Sequence, residues 1–331
     1  MTFSDYMSEW LYGKEGYYAT YKNIGKEGDF YTSVSTSKFF GGSVAKHIIS
    51  LVDEGFLSED SVICEIGAHH GYFLADVIEF IYTLRPKLLD TLKFVIVERF
   101  EALREFQKDY FKESFGDAVS LMHYESLDDL KCESAFFVAN EIFDAFTCEL
   151  YYKGKCARVD EHDIEFDVHN EWVEQKAQKY HKDRGEIALG YEEFARSMAS
   201  TCKKFEFISF DYGEMQARPD FSLRIYTKHN VIPFFSEDEN NKKEELFANS
   251  DITYDVTFAH VKDAFEEAGV KFVELKAQMT ALVDMGILEL LEILKDNADE
   301  RIYKQELEKV KMLIMPDFLG ERFKMIKFRK Q

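Results

Sequence analysis

The stretch Val62-Ile63-Cys64-Glu65-Ile66-Gly67-Ala68-His69-His70-Gly71 decides the fold. A short apolar run ends in a glycine-bearing turn. Beyond Gly71, apolar residues fall at helical spacing, Phe73, Leu74, Val77, Ile78 and Ile81, until Pro86 stops the period. This reads as strand, turn, helix. Glycine lets the backbone approach a ligand that a Cβ would exclude, and ligands of open α/β sheets bind at the carboxyl ends of the strands, where this turn lies.

The alternation continues downstream. Leu92 to Val97 reads as a strand and Glu101 to Lys112 as a helix, followed by short strands at Val119–Met122 and Ala135–Ala139. Strands alternating with helices predict a parallel sheet covered on both faces. Between about Cys148 and Lys204 the pattern breaks: a hairpin around Lys153-Gly154-Lys155 leads into a charged stretch read as helical. The alternation resumes with a strand at Phe205–Phe210, a helix at Phe258–Ala268, a strand at Val270–Leu275, helices to about Leu313 and a last strand at Phe323–Phe328. Upstream, Phe3–Tyr12 and Lys38–Glu54 read as helices. The chain therefore divides into an N-terminal helical extension (1–57), the first part of an α/β domain (58–147), an inserted helical and hairpin subdomain (148–204) and the remainder of the α/β domain (205–331).

Composition narrows the function. The 331 residues, 46% apolar and 15% aromatic, suffice for a full α/β core with additions. With 41 basic against 62 acidic residues the net charge is −21, which repels phosphate backbones and anionic lipid. Nucleic acid is excluded as a partner, and a basic protein or peptide suits the charge. The five cysteines, Cys64, Cys132, Cys148, Cys156 and Cys202, are far apart and form no CxxC pair, so reduced, buried thiols are expected. No basic start with an apolar run opens the chain and no segment has the length of a membrane span, which points to the cytoplasm. The acidic run from Ser236 to Glu245 has no apolar period and reads as a solvated loop.

The turn also selects among cofactors. A dinucleotide fold asks for G-x-G-x-x-G; here the spacing is E-x-G-x-x-x-G, which disfavours a nicotinamide-dependent oxidoreductase and favours a nucleoside without a pyrophosphate. Glu98 ends the second strand, where a carboxylate accepts ribose hydroxyls. Asn140-Glu141-Ile142-Phe143-Asp144-Ala145 follows the fourth strand. Its carboxylates and amide suit a cationic substrate, since a guanidinium pairs with planar carboxylates in bidentate fashion; the bland alternative is a helix start capped by Asn140. His69 and His70 are adjacent and lack partners at ligand spacing, so no metal is expected.

These residues resemble the MidA-like S-adenosylmethionine (SAM) dependent methyltransferases, whose mitochondrial members dimethylate an arginine on a complex I subunit during its assembly. The resemblance covers most of the chain. It runs through Tyr6-Met7, Leu11-Tyr12, Gly16-Tyr17-Tyr18, Gly28 to Ser33, Ser37, Phe39 and Gly41, the Glu65–Gly71 turn, Val97-Glu98, Asn140-Glu141 with Phe143-Asp144-Ala145, Asp211-Tyr212-Gly213, Leu223-Arg224 with Tyr226 and His229, Asp251-Ile252-Thr253 and Gln278. It implies a Rossmann-like SAM methyltransferase sheet. Asp29, Thr32 and Ser33 are then expected beside the cofactor, Glu65, Gly67 and Gly71 in the turn around its methionine part, and Glu98 on its ribose. Asn140, Glu141 and Asp144 would line the transfer site, with S-adenosylhomocysteine (SAH) as the product and a protein substrate, a complex I subunit by the resemblance. Two departures stand out: Ala68-His69 replaces the family's Pro-Gly, and Phe146-Thr147 replaces its Leu-Pro. They motivate a second reading, a catalytically degenerate assembly or interaction protein on the same scaffold. The oligomeric state is not legible.

Overall fold

A computed structural model describes residues 1–19, 32–228, 230–237 and 242–331. They form two compact units, one of residues 32–140, 196–211 and 268–331, the other of 1–19, 141–195 and the described part of 212–267. The N-terminal helix Phe3–Tyr12 belongs to the second unit, and the helix Phe39–Asp53 to the first.

The first unit is built on seven of the strands of an eight-stranded sheet, the eighth being the short Val256–Thr257 beside the end of Cys202–Glu214; the seven are, in chain order, Val62–Ile66, Lys93–Val97, Leu121–Tyr124, Cys132–Asn140, Cys202–Glu214, Lys271–Ala277 and Phe323–Lys330. Numbered along the chain, they lie side by side as 3-2-1-4-5-7-6. Strands 1 to 5 pair in parallel, and strands 6 and 7 are antiparallel to each other. All five residues of strand 1 are buried, the pattern of a central parallel strand covered on both faces. The chain runs outward from strand 1 on one side and returns to its other side with strand 4. The crevice of such a sheet opens at that reversal, at the carboxyl ends of the strands.

The helix Tyr72–Leu84 buries Phe73, Leu74, Val77, Ile78 and Ile81, the stripe its spacing predicts, and ends before Pro86. Phe40 lies against Phe73 and Phe210 at ring separations of 5.0 and 4.8 Å, joining the helix Phe39–Asp53 to this core. One cysteine expectation is corrected here. Cys132 and Cys202 are register partners on adjacent parallel strands, Cα atoms 4.8 Å apart, and are joined as a disulfide, whereas Cys64, Cys148 and Cys156 are free and buried. A separation of 70 residues hid a pairing that only strand register creates.

The second unit holds two antiparallel sheets. One has the strand order Asp163–Val168, Lys155–Asp160, Cys148–Tyr152, Arg184–Ala188; the other Asn230–Pro233, Arg224–Thr227, Asp251–Thr253. The hairpin at Lys153-Gly154 is present, with φ of 47° and 85° as a primed turn requires. The stretch after it is not wholly helical. Asp163–Val168 is a third strand, and only Glu171–Lys179 and Tyr191–Thr201 are helices. Among the described residues no helix is long and apolar enough to cross a membrane.

Candidate active site

In the sheet unit, the turn after strand 1 needs three successive departures from ordinary backbone. Gly67, His69 and Gly71 have φ of 68°, 49° and 77°. The Gly67 amide donates to the Val97 carbonyl at 2.9 Å, and the Gly71 amide to that of Ala68 at 2.8 Å. A Cβ on Gly71 would meet the Phe111 ring at 3.1 Å, a tight contact that adds to the demand its φ already makes for glycine.

Glu65 is buried, and its Oε2 accepts the Leu74 amide at 3.0 Å. It thus satisfies one of the amides that the following helix leaves open at its first turn. Burial pushes its carboxyl up to about 8, against the pull of the Leu74 amide and with the charges of Glu98 and Asp76 adding to the rise. Glu98 stands at the end of strand 2, also buried, with Oε1 accepting the Phe100 amide at 3.2 Å. Burial raises its pKa, while the Phe100 and His69 amides and Arg104 hold it down. The His69 amide, in the glycine turn, is thus one of the groups that hold the Glu98 carboxyl down. A buried carboxylate at a strand end, beside a turn whose glycines carry no Cβ, fits an adenosine-bearing cofactor with no pyrophosphate.

Sequence reasoning missed two residues that hold the turn. Gln107 is fully buried; its Nε2 donates to the His69 carbonyl at 2.6 Å and its Oε1 faces His123 Nε2 at 3.0 Å. The signal was present: Gln107 is the polar member of a buried stripe with Leu103 and Phe111, and a buried amide is hydrogen-bonded or costly. His70 stacks on Tyr72, ring centroids 5.1 Å apart, and His69 Nδ1 lies 2.6 Å from His70 Nδ1. Among the described residues no cluster of His, Cys, Asp or Glu could hold a metal ion.

Thr32 caps a short helix, Ser33–Thr36, and the Ser33 hydroxyl donates to Gln278 Oε1 at 2.9 Å, deep in the unit. Asp29 and His229 lie outside the described residues. Asn140 closes strand 4 opposite Phe210.

The chain then enters the second unit. Glu141 adopts φ 54°, and Phe143–Ala145 forms a single 3-10 turn. No α-helix follows, so the capping alternative for Asn140 is corrected. Asp144 is buried, with 3% of its surface exposed, and its Oδ1 has no hydrogen-bond partner among the described residues. Burial raises its carboxyl to about 6, against the pull of the Tyr212 hydroxyl and Arg224 and with Asp255 adding to the rise. Arg224 Nη2 is engaged by Asp255 Oδ1, and Arg218 Nε reaches Asp255 Oδ2 at 2.8 Å. Tyr212 bonds Thr253. Tyr212, Arg224 and Thr253 came from the matching motifs, yet only the fold gathers them around Asp144.

A family model described as a putative S-adenosyl-L-methionine-dependent methyltransferase matches residues 44–276. The rat mitochondrial protein arginine methyltransferase NDUFAF7 is 24% identical over 98% of the chain and 79% of its own length, and the mouse protein of that name is 25% identical with the same coverage. A solved structure of a COG1565 superfamily member and likely methyl transferase from Burkholderia thailandensis, bound to S-adenosyl-homocysteine, superposes with a TM-score of 0.83 at 21% identity, covering all of this chain and 88% of that one.

Proposed function

We propose that this chain, which belongs to the S-adenosyl-L-methionine-dependent methyltransferase family whose model it matches, methylates an arginine side chain of a protein, with Asp144 orienting the acceptor. SAM-dependent methyl transfer follows from that membership and from the fold shared with a SAH-bound structure. The arginine acceptor is the finer step. It is supported by the names of the mitochondrial relatives, and one observation carries it: a buried carboxylate, Asp144, keeps an oxygen with no partner among the described residues. Such an atom is costly unless something cationic or hydrogen-bonding meets it.

In this reading Glu98 accepts the ribose hydroxyls, and Glu65, Gly67 and Gly71 shape the turn around the methionine part, with Asp29, Thr32 and Ser33 assigned beside it. When bound, SAM supplies an electrophilic methyl on a sulfonium. Rate comes chiefly from alignment of the acceptor nitrogen. A guanidinium stays protonated at any working pH, so Asp144, with Asn140 and Glu141, orients it and localises its charge. The nitrogen that gains a methyl must shed a proton. Asp144, raised to about 6 by burial, accepts it at a smaller cost than an ordinary aspartate.

The acidic balance of the chain suits a basic protein substrate, and the family resemblance makes a complex I subunit the first to try. Cytoplasmic localisation stays part of this reading and is checked by fractionating cells that express the tagged chain. Titration calorimetry with SAM, SAH and NADH, followed by transfer of labelled methyl to arginine-containing protein, tests the function. Saturable binding of the adenosyl ligands alone, with label recovered as methylarginine, is expected. No adenosyl binding, or label on another residue, would refute it.

A further inference from the structure

Cys132 and Cys202 open strands 4 and 5, each as the first residue of its strand. They stand opposite one another in the parallel ladder, whose far end pairs Asn140 with Phe210. Register partners on neighbouring strands point their side chains to one face of the sheet, and a Cα separation of 4.8 Å lies within the span a disulfide bridges. The pair is asymmetric. Cys202 is buried, with 4% of its surface exposed, whereas Cys132 is half-buried between the exposed Lys131 and Glu133. The other three cysteines offer no such access. Cys64, Cys148 and Cys156 are buried, and burial pushes the Cys64 and Cys148 thiols well above their ordinary range and that of Cys156 up to about 11.

Bonds other than the disulfide keep the two cysteines opposed. Lys131 Nζ donates to the Ser200 carbonyl at 3.1 Å, tying the residue before strand 4 to the segment before strand 5. Lys330 Nζ, on the last strand, donates to the carbonyls of Ala199 at 2.6 Å and Cys202 at 3.0 Å. Two thiols therefore stay in register when the bridge opens, placed to close it again. The bridge is also remote from the carboxyl end of the sheet. Cys132 and Asn140 are the two ends of one nine-residue strand, about 26 Å apart at the rise of an extended chain. The loop it closes spans 70 residues and includes the whole excursion of the chain through 141–195. A bridge over so long a loop constrains the unfolded chain strongly.

We propose that Cys132 and Cys202 form a thiol–disulfide exchange site, opened and closed by low-molecular-weight thiols of the glutathione class, which sets the stability of the fold and leaves cofactor binding alone. A partly exposed bridge is more readily reduced than a buried one, and in a reducing compartment such bridges are transient. Closure begins at Cys132, the more exposed member. Its thiolate attacks one sulfur of oxidised glutathione, forming a mixed disulfide and releasing one glutathione thiolate. The Cys202 thiolate then attacks Cys132 Sγ and expels the second. Two electrons pass from the protein to the glutathione disulfide, and the two protons given up by the cysteines end on the two released thiols. Opening is the reverse. None of this depends on the identity of the methyl acceptor.

The full chain is equilibrated over a series of ratios of reduced to oxidised glutathione, quenched in acid, unfolded, alkylated with a maleimide and weighed by mass spectrometry. Two of the five cysteines should lose their label together, in a single two-electron transition, and peptide mapping should place them at 132 and 202. In urea the oxidised chain should unfold with an equilibrium constant about a thousandfold smaller than the reduced one, the scale of a cross-link over a loop of 70 residues. SAH affinity should be equal in the two forms. C202S should capture one glutathione, at Cys132, and C132S none. Five labelled cysteines at every ratio, or a bridge that opens only when the chain is unfolded, would overturn the exchange site. A SAH affinity that differs between the forms would overturn its separation from cofactor binding, and an adduct on Cys202 in C132S would overturn the order of attack. If a serine variant fails to fold, the wild-type titration decides alone.

Discussion

Glu65→Gln should stabilise the ligand-free chain at neutral and alkaline pH and leave it nearly unchanged in acid. The carboxyl is buried, and its pKa of about 8 lies above the ordinary 4.5. The folded chain therefore holds a proton that the unfolded chain releases, so the stability this group contributes is present below the unfolded value and is lost as pH rises through the folded one. Taking the two pKa values through the linkage relation, the loss between about pH 5.5 and 8 is roughly 3 kcal/mol. Glutamine keeps the acceptor oxygen that bonds the Leu74 amide but does not ionise. Asp76, raised to about 7 mainly by its burial, has the same sign, so the wild type keeps part of its slope. Urea unfolding followed by far-ultraviolet circular dichroism, wild type against E65Q at both pH values, isolates the difference. Equal stabilities at about pH 8, or a variant less stable there, would mean that Glu65 is ionised in the fold at no cost, and the reasoning would fail.

Three further variants test the assigned roles. Glu98→Ala should weaken SAM binding about tenfold or more by calorimetry, because the proposed reading makes it the buried acceptor for two hydroxyls; an unchanged Kd would remove Glu98 from the cofactor site. Asp144→Asn should cut methyl transfer about a hundredfold and leave SAM affinity within about threefold, and equal loss of SAM binding in the Glu98 and Asp144 variants would contradict the division of labour. Gln107→Leu should lower stability by about 1–3 kcal/mol, since it strands the His69 carbonyl and the His123 ring nitrogen; a neutral result in urea would show that water takes its place.

The strand–turn–helix at 62–84 was legible because each local rule agreed: an unbroken apolar run, glycines where φ turns positive, a helical stripe and a stopping proline. The place of Glu98 just after the strand Lys93–Val97 was legible because a strand end is a one-dimensional landmark. The strand Asp163–Val168 was missed although Ile164, Phe166 and Val168 alternate with Asp163, Glu165 and Asp167, a period of two that the high charge of the stretch concealed. The surroundings of Asp144 were not legible in any window. Tyr212, Arg224 and Thr253 carry no local pattern that links them, and their meeting is a product of sheet register. Motif order along the chain marked these residues as a set without indicating what they surround.

The replacement of Pro-Gly by Ala68-His69 looks damaging in the sequence, and the structure indicates how it is accommodated. His69 keeps the positive φ, 49°, that a glycine would adopt freely, and a residue with a Cβ incurs roughly 1–2 kcal/mol in that region. Against this stand the Gln107 bond to its carbonyl and the ring contact with His70, centroids 4.1 Å apart. His69→Gly relieves the strain and keeps the carbonyl bond, but it loses the ring contact and adds backbone freedom to the unfolded chain, about 0.5–1 kcal/mol. These effects nearly cancel. His69→Ala loses the same ring contact and retains the strain, so the alanine variant should be less stable than the glycine variant by about 1 kcal/mol, the reverse of the usual ranking. Urea midpoints of the two variants at equal slope measure the difference directly. An alanine variant more stable than the glycine one would show that residue 69 does not hold the left-handed conformation, and the route by which Gln107 and His123 support the turn would fall with it.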